Sequence, residues 1–186
     1  MVKFYKTGKL PLSSNELNEV SNYFGVQFPD EYQRFMLEYN GGTVEDTHNF
    51  KYADNIGAIA WFYDVDKNSN SDLKYNNEMR KGRFPKGFVS IGTNGGGDEI
   101  CIDCGAGEGF GKVYFWDHNF EADQSDPEFA TPELANNFFL IADSFDTFLR
   151  GLFKAEHTED RGEMTVTITP KNKELLEETM RRLGLS

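Results

Sequence analysis

Apolar residues recur at helical spacing in two segments near the start of the chain. The first segment opens with the spacing of a capping box, because Ser13 and Glu16 stand three positions apart. Its apolar stripe is formed by Leu17, Val20 and Phe24. Gly25 follows, and glycine readily takes the left-handed conformation that ends a helix. The pattern therefore predicts an amphipathic helix that begins at Ser13 and stops at Gly25.

A second helix is predicted to follow directly. Pro29 suits its opening, and the acidic residues Asp30 and Glu31 suit the positive end of the helix dipole. Its apolar face falls at positions i, i+3, i+4 and i+7, which are Tyr32, Phe35, Met36 and Tyr39. We expect this face to belong to the core rather than to a contact surface. The Asn-Gly-Gly run at residues 40–42 stops the helix.

The middle of the chain has the composition of a sheet. Segments rich in aromatic and β-branched residues are separated by glycine-rich turns. The predicted strands are residues 56–63, 88–91, 99–103, 113–116 and 138–142. The third and fourth of these are expected to pair as a hairpin, with residues 105–111 as the loop.

Two more helices are predicted around this sheet. A short one is capped by residues 70–72 and runs to Lys81, and another is capped by Ser144. The apolar face of the second consists of Phe145, Phe148, Leu149 and Leu152. Helices, then strands, then helices again, without regular βαβ alternation, predict an α+β fold.

The end of the chain follows a polar stretch, residues 155–163, which we interpret as a flexible joint. Apolar residues then alternate with threonines up to Pro170, which predicts a half-buried strand. Residues 173–183 have the pattern of an amphipathic helix. We therefore expect one domain over residues 1–152 and a C-terminal strand-helix extension over residues 153–186, packed on the same domain.

Composition bounds the class of protein. The chain has 186 residues, of which 15% are aromatic, so one ordered core is expected. No apolar run approaches the roughly 20 residues that span a bilayer. The first residues contain no apolar stretch of signal-peptide type. These features predict a soluble, cytoplasmic protein without a membrane partner.

Charge narrows the choice of partners. Nineteen Lys and Arg residues stand against thirty-one Asp and Glu residues, a net charge of −12. Phosphate binding needs cationic side chains, so a nucleic-acid partner is not expected. Residues 111–150 alone hold eight acids and two bases. A charge concentrated in this way steers a cationic protein better than the same charge spread evenly, so a basic protein partner is expected, while acidity that only aids solubility stays open as the alternative.

No spacing indicates a cofactor or a metal. Cys101 and Cys104 offer two of the four ligands that a structural zinc takes, and their Cys-x-x-Cys spacing falls on a predicted strand rather than at a helix start. Residues 93–98 are rich in glycine but lack the Gly-Lys-Ser/Thr ending of a phosphate loop. None of the histidines has the spacing of a zinc helix or a nucleophile elbow; they are His48, His118 and His157. We expect no catalytic, cofactor-binding or metal-binding residue.

Four segments together resemble the SUKH superfamily, which takes in the fungal regulators of cell-wall glucan synthesis and many bacterial immunity proteins. The segments are residues 14–25, 28–42, 92–103 and 144–152. The most specific is the second, with its Pro-acidic-aromatic opening and its Asn-Gly-Gly close. The resemblance covers residues 13–152. The Cys pair, an acidic insertion at residues 119–137 and the tail from Phe153 onward depart from the pattern.

The resemblance implies a central, mostly antiparallel sheet flanked by helices and a non-enzymatic role. Bacterial members are commonly immunity proteins, which bind and block a cognate toxin, and many such toxins are nucleases. The predicted partner is therefore a cognate basic toxin. The predicted partner-binding residues are Asp98, Glu99, Trp116, Asp117, Glu121, Asp123, Asp126, Glu128 and Glu133.

Two alternatives stay open. A regulatory scaffold of the cell-wall type would use the same fold to dock several partners. A small hydrolase would use Asp98, Glu99 or Asp103 together with a histidine. An open polar pocket with one of these acids beside His48 or His118 would favour the hydrolase, and a filled interior would count against it.

Overall fold

The structure, a computed structural model, describes residues 4–5, 10–44, 48–120 and 137–154. Its helices are α1 (Ser14–Phe24), α2 (Asp30–Tyr39), α3 (Leu73–Met79) and α4 (Phe145–Gly151), with a 3₁₀ turn at His118–Phe120. Its strands are β1 (Phe4–Tyr5), β2 (Thr43–Val44), β3 (Asn49–Tyr52), β4 (Asn55–Ala58), β5 (Trp61–Phe62), β6 (Phe88–Thr93), β7 (Glu99–Asp103), β8 (Val113–Trp116) and β9 (Phe138–Ala142). All these residues belong to the first of two units into which the chain divides, Met1–Ala155; the second, Glu156–Ser186, lies outside them.

Five strands form the main sheet, in the order β5-β6-β7-β8-β9, and each is antiparallel to its neighbours. The pairs β1–β2 and β3–β4 are separate and also antiparallel. Helices around an antiparallel sheet confirm the predicted α+β fold, and β7–β8 confirms the predicted hairpin. Among the helices that the structure describes, none is long and apolar enough to cross a membrane.

Local hydrogen bonds set the limits of α1 and α2. The Ser13 hydroxyl accepts the Glu16 backbone N–H, and the Glu16 carboxylate accepts the Ser13 backbone N–H at 2.8 Å, which completes the predicted capping box. Asn40 ends α2 in the left-handed conformation, with φ 50°. Its side chain also donates to the carbonyl of Leu10 and accepts the N–H of Val65. The residue that stops the helix therefore also joins two distant loops.

The apolar face of α2 packs into an aromatic cluster. The ring centroid of Phe35 lies 5.0 Å from that of Phe62 on β5 and 5.1 Å from that of Phe145 on α4. Tyr32 is fully buried and lies edge-on to Phe145. Aromatic pairs in this geometry stabilise a core beyond the area that they bury. The expectation that this face is core is confirmed.

The predicted strand at residues 56–63 is two strands in two sheets. The chain changes its hydrogen-bond partner in the middle, because the Ile59 N–H donates to His48 and the Ala60 N–H donates to Thr93. β4 therefore completes a hairpin with β3, while β5 joins the edge of the main sheet. Strand composition alone does not show this change of partner.

Helix α3 covers an edge of β6 that β5 is too short to reach. The Asn77 side chain accepts the backbone N–H of Ser90 at 2.9 Å and donates to its carbonyl at 2.8 Å. An amide that pairs with both backbone groups replaces a missing strand, so these groups are not left unpaired. This contact places Arg80, which caps α3, beside the sheet.

The predicted C-terminal extension lies outside the described residues, apart from its first two. Phe153 exchanges backbone hydrogen bonds with Asn49. The domain limit at residue 152 stays a prediction.

Substituting Gly41 tests the close approach that follows α2. Gly41 has φ +79°, and a Cβ there would lie 2.6 Å from the Tyr63 carbonyl oxygen. Gly41→Ala should lower the free energy of unfolding by about 3 kcal/mol or more, because backbone strain and a clash with rigid backbone act together. Gly25→Ala is the control, since Gly25 has φ +65° and no atom within 4 Å of its added Cβ. It should cost about 1 kcal/mol. Equal losses in urea unfolding would contradict the account.

Candidate protein-interaction site

Glu99, the first residue of β7, points into the protein. Its side chain is fully buried. The carboxylate accepts hydrogen bonds from the hydroxyls of Tyr63, at 2.7 Å, and Ser90, at 2.5 Å. The guanidinium of Arg80 forms an ion pair with its other oxygen. The buried carboxylate therefore ties the end of α3 to the middle of the sheet.

Burial raises the pKa of Glu99 to about 7, although the Ser90 and Tyr63 hydroxyls and the Arg80 guanidinium favour the ionised form. A carboxylate removed from water binds its proton more tightly, because the charged form loses its hydration. The pKa of the Tyr63 hydroxyl is raised as well, first by burial and then by the charge of Glu99. These side chains join α3 to the sheet, and the pKa values of Glu99 and Tyr63 within the group are both raised.

The prediction that Glu99 and Trp116 contact a partner does not agree with their burial. The two residues lie opposite each other in the β7–β8 ladder and share one face of the sheet. Residues 80–84 cover that face: the Arg83 guanidinium lies 4.9 Å from the Trp116 ring and the Phe84 ring packs edge-on to it at 5.3 Å. Both side chains therefore stabilise the interior in this structure.

Asp98 lies at the rim, on the opposite side of the pleat from Glu99. The β7–β8 register ends at the Glu99–Trp116 pair, and Asp98 and Asp117 are the next residues outward, with carboxylate oxygens within 4.8 Å of each other. Two carboxylates in such a position repel each other. His118 relieves the repulsion, because its backbone N–H donates to Asp98 Oδ1 at 3.0 Å and its ring Nδ1 lies 2.6 Å from the same oxygen.

Asparagines hold the two carboxylates from either side. Asn94 contacts Asp98 Oδ2 through Nδ2 at 2.5 Å, and its Oδ1 accepts the Asp98 backbone N–H. Asn119 donates both its backbone and its side-chain N–H to Asp117 Oδ1. We call Asp98, Asp117 and His118 the rim cluster; one ligand atom of each lies within 4.8 Å of the others.

The acidic insertion, residues 119–137, begins directly after the rim cluster residues Asp117 and His118. The Asp117 N–H donates to the Asn137 carbonyl at 2.9 Å, and Asn137 Nδ2 donates to the Asp117 carbonyl at 3.1 Å. The two ends of the insertion are thus clasped at the end of the β8–β9 ladder. The other predicted contact residues lie outside the described residues; they are Glu121, Asp123, Asp126, Glu128 and Glu133.

The rim cluster contains two acids and one histidine, and the His118 ring lies 2.6 Å from Asp98. Asp98 and Asp117 are themselves mostly buried. Among the described residues, neither one forms an ion pair with a lysine or an arginine. Burial and then the charges of Asp117 and Asp98 raise the pKa of the nearby Tyr52. The two acids are therefore mostly buried and held in place by hydrogen bonds, and they are not freely exposed contact residues.

Comparison with known proteins places this geometry in a family. The family model described as SMI1 / KNR4 family (SUKH-1) matches residues 11–151. The chain belongs to the SUKH-1 family. It is also 30% identical over 165 residues to the SPbeta prophage-derived uncharacterized protein YokK of Bacillus subtilis (strain 168), and the match covers 78% of each chain.

SUKH-1 membership confirms the resemblance predicted from the sequence. At the level of the family it supports a protein-interaction or immunity-like role, and the family is generally non-enzymatic. The matched residues include the rim cluster and the acidic insertion, so both lie within the SUKH-1 domain rather than beside it.

The rim cluster of this SUKH-1 protein also has the donor types of a metal site. Hydrogen bonds within the chain already use both oxygens of Asp98 and one oxygen of Asp117. We therefore assign the three side chains a structural role and derive no metal chemistry from them.

The Asp98–His118 contact is the pairing that the hydrolase alternative calls for, but it is not placed in either of two clefts. A cleft of about 750 Å³ lies between the end of α1 and the β7–β8 loop, and its lining includes Phe24, Lys86 and Phe110. A second cleft, of about 230 Å³, lies beside α4. Neither is lined by Asp98 or His118.

The two cysteines are buried free thiols. Burial raises the pKa of Cys104 to about 12, and the charge of Asp103 adds to the shift. Complete burial raises the pKa of Cys101 well above its ordinary value. A thiol held in the protonated form is a weak nucleophile and a poor metal ligand.

The sequence named His118 only as a candidate partner of an acid in the hydrolase alternative, and it gave no indication of Asn94 or Asn137. His118 and Asn137 act through contacts with residues 20 positions away, whereas Asn94 contacts Asp98 within the same loop. The predicted hairpin holds one usable signal: once residue 99 is aligned with residue 116, Asp98 falls opposite Asp117 and His118 comes next. The register itself is not readable from the composition of the two strands.

Replacing Glu99 tests its buried titration. The folded pKa, about 7, lies above the ordinary value of 4.5, so the native state holds the proton more tightly than the unfolded chain. The free energy of unfolding should therefore fall as pH rises from 5 to 7, with a contribution of up to about 1.4 kcal/mol per pH unit. Glu99→Gln removes this contribution. Urea unfolding at several pH values should show a smaller slope for the variant; identical slopes would contradict the assignment.

Proposed function

We propose that this protein is an immunity protein, which binds a cognate basic toxin, such as a nuclease, and blocks it without any catalysis of its own. The rim cluster carries the proposal. Asp98 and Asp117 face each other at the root of an acidic insertion, and no described lysine or arginine pairs with either. His118 offsets part of the repulsion between the two carboxylates, and a cationic group on a partner would offset the rest.

The proposed binding face extends from the rim cluster along the acidic insertion. Residues 121–136 contain five acids and no base. Nuclease toxins need a basic surface for their substrate, and an acidic inhibitor can occupy that surface. A standard interface of about 1,600 Å² would cover it by steric and electrostatic occlusion. The fixed charges speed the encounter, whereas buried apolar contacts hold the complex.

The contacts within the chain fit this role better than those of a hydrolase. The Asp98 carboxylate accepts hydrogen bonds from His118, Asn94 and the backbone, and the Asp98–His118 pair lines neither of the two clefts described above, where a hydrolase would bind its substrate. A regulatory scaffold of the cell-wall type would use the same acidic face for several partners. A toxin gene adjacent to the gene of this protein would favour immunity, and its absence would favour the scaffold.

Co-expression with each neighbouring open reading frame tests the proposal. An open reading frame that arrests growth alone should be tolerated when this protein is present, because the complex hides the toxin's active surface. The readout is colony formation with each gene under its own inducer. Arrest that persists in every pairing, with both proteins shown to be produced, would refute immunity.

Charge reversal tests the binding face. Changing Asp123, Asp126 and Glu128 together to Lys should slow association with the toxin at least about tenfold at low salt and flatten its salt dependence. The matched control changes Glu19, Glu38 and Asp54 to Lys, three exposed acids elsewhere that give the same net charge. Stopped-flow mixing measures both. An equal effect of the two triple variants would show that only net charge matters and would reject this face.

A further inference from the structure

The 3₁₀ turn beside the rim cluster exposes an aromatic ring. Phe120, the last residue of that turn, is 67% exposed, although a phenylalanine gains free energy when it is removed from water. Its backbone N–H donates to the Asp117 carbonyl, so the exposed residue adjoins the rim cluster.

We infer that Phe120 is the apolar anchor of the toxin-binding face and inserts into a pocket ringed by lysines or arginines on the toxin. This inference rests on the proposed function and adds to it the residue that holds the complex. Anchors of protein interfaces are commonly aromatic side chains that fill a pocket on the partner, with charged groups at the rim.

Hydrogen bonds within the free protein already order the turn that carries Phe120. His118 is fixed to Asp98 by its backbone N–H and its ring, and Asn119 is fixed to Asp117 by two hydrogen bonds. The Asn137 clasp fixes Asp117 in turn. A side chain on a backbone that is already ordered loses little conformational entropy on binding, which is the property that a strong anchor needs.

The surroundings of Phe120 specify the chemistry of the partner. Asp98 and Asp117 lie within the same turn system and have no lysine or arginine partner among the described residues. Glu121 and Asp123 follow directly in the chain. His118 contacts Asp98 within the chain, but a cationic group on a partner would still be attracted to this acidic region, whereas an acidic partner would be repelled. The pocket that accepts the ring is therefore apolar at its centre and cationic at its edge.

Two other exposed aromatic side chains lack this combination. Phe110 is 43% exposed, but it lines the cleft beside α1. The Tyr23 hydroxyl is bonded to Glu78, and its ring lies under Lys74. Phe110 therefore provides a matched control, since it is the same residue type, also exposed, and placed on a different loop.

The test compares Phe120→Ser with Phe110→Ser, using a catalytically inactivated form of the toxin that co-expression identifies. Phe120→Ser should raise the Kd about 30-fold, chiefly through faster dissociation, and should leave the association rate and its salt dependence nearly unchanged. Phe110→Ser should change the Kd less than about twofold. Thermal unfolding of both variants, which alter exposed rings, should match the wild type.

The outcomes separate this inference from the proposed function. If the wild type binds the toxin and Phe120→Ser binds as tightly, the anchor is refuted while immunity stands. If Phe110→Ser weakens binding as much as Phe120→Ser, the effect is not specific to this face and the anchor is refuted as well. If the wild type does not bind any neighbouring toxin, both the inference and the proposed function fall.

Discussion

The structure depends on one carboxylate held inside the sheet. Glu99 opens the central strand of the five, and its only ion-pair partner among the described residues is Arg80. Satisfying that carboxylate requires the hydroxyls of Tyr63 and Ser90 and requires α3 to end beside the sheet. Breaking such a buried pair by removing one partner is costly, because the remaining charge is left without compensation. The position of residues 80–84 follows from this requirement.

The burial of Glu99 also determines where the neighbouring acid, Asp98, lies. Side chains alternate across a strand, so fixing Glu99 inward sends Asp98 to the other side of the pleat. The hairpin register then sets Asp98 against Asp117, and the resulting repulsion is relieved by His118 and two asparagines. The position of the two acids at one end of the sheet thus follows from the burial of Glu99 and from the hydrogen bonds that its carboxylate accepts. Both acids lie within the residues that the SUKH-1 family model matches.

The sequence predicted those parts of the fold that depend on neighbours in the chain. The Ser13–Glu16 capping box, the glycine after α1 and the limits of β7, β8 and β9 are all set by residues a few positions apart. The split of residues 56–63 between two sheets was missed, because it depends on which distant strand each half meets. Burial of Glu99 was missed for the same reason: its partner, Arg80, comes from a different element. Charge density indicated an acidic region, whereas the strand register determined which acids lie at the end of the sheet and which lie inside it.

Amide hydrogen exchange of the free protein and of its complex with the toxin tests the central claim most directly. Because partner contact shields amides and suppresses local opening, the account predicts slower exchange on binding at residues 94–98 and 118–120, the two segments that form the rim of the sheet. Exchange in the β7–β8 loop, residues 105–111, should be unchanged. Slowing confined to that loop or to the cleft beside α1, with none at the rim, would contradict the claim that this molecule acts by covering a basic partner with its acidic end.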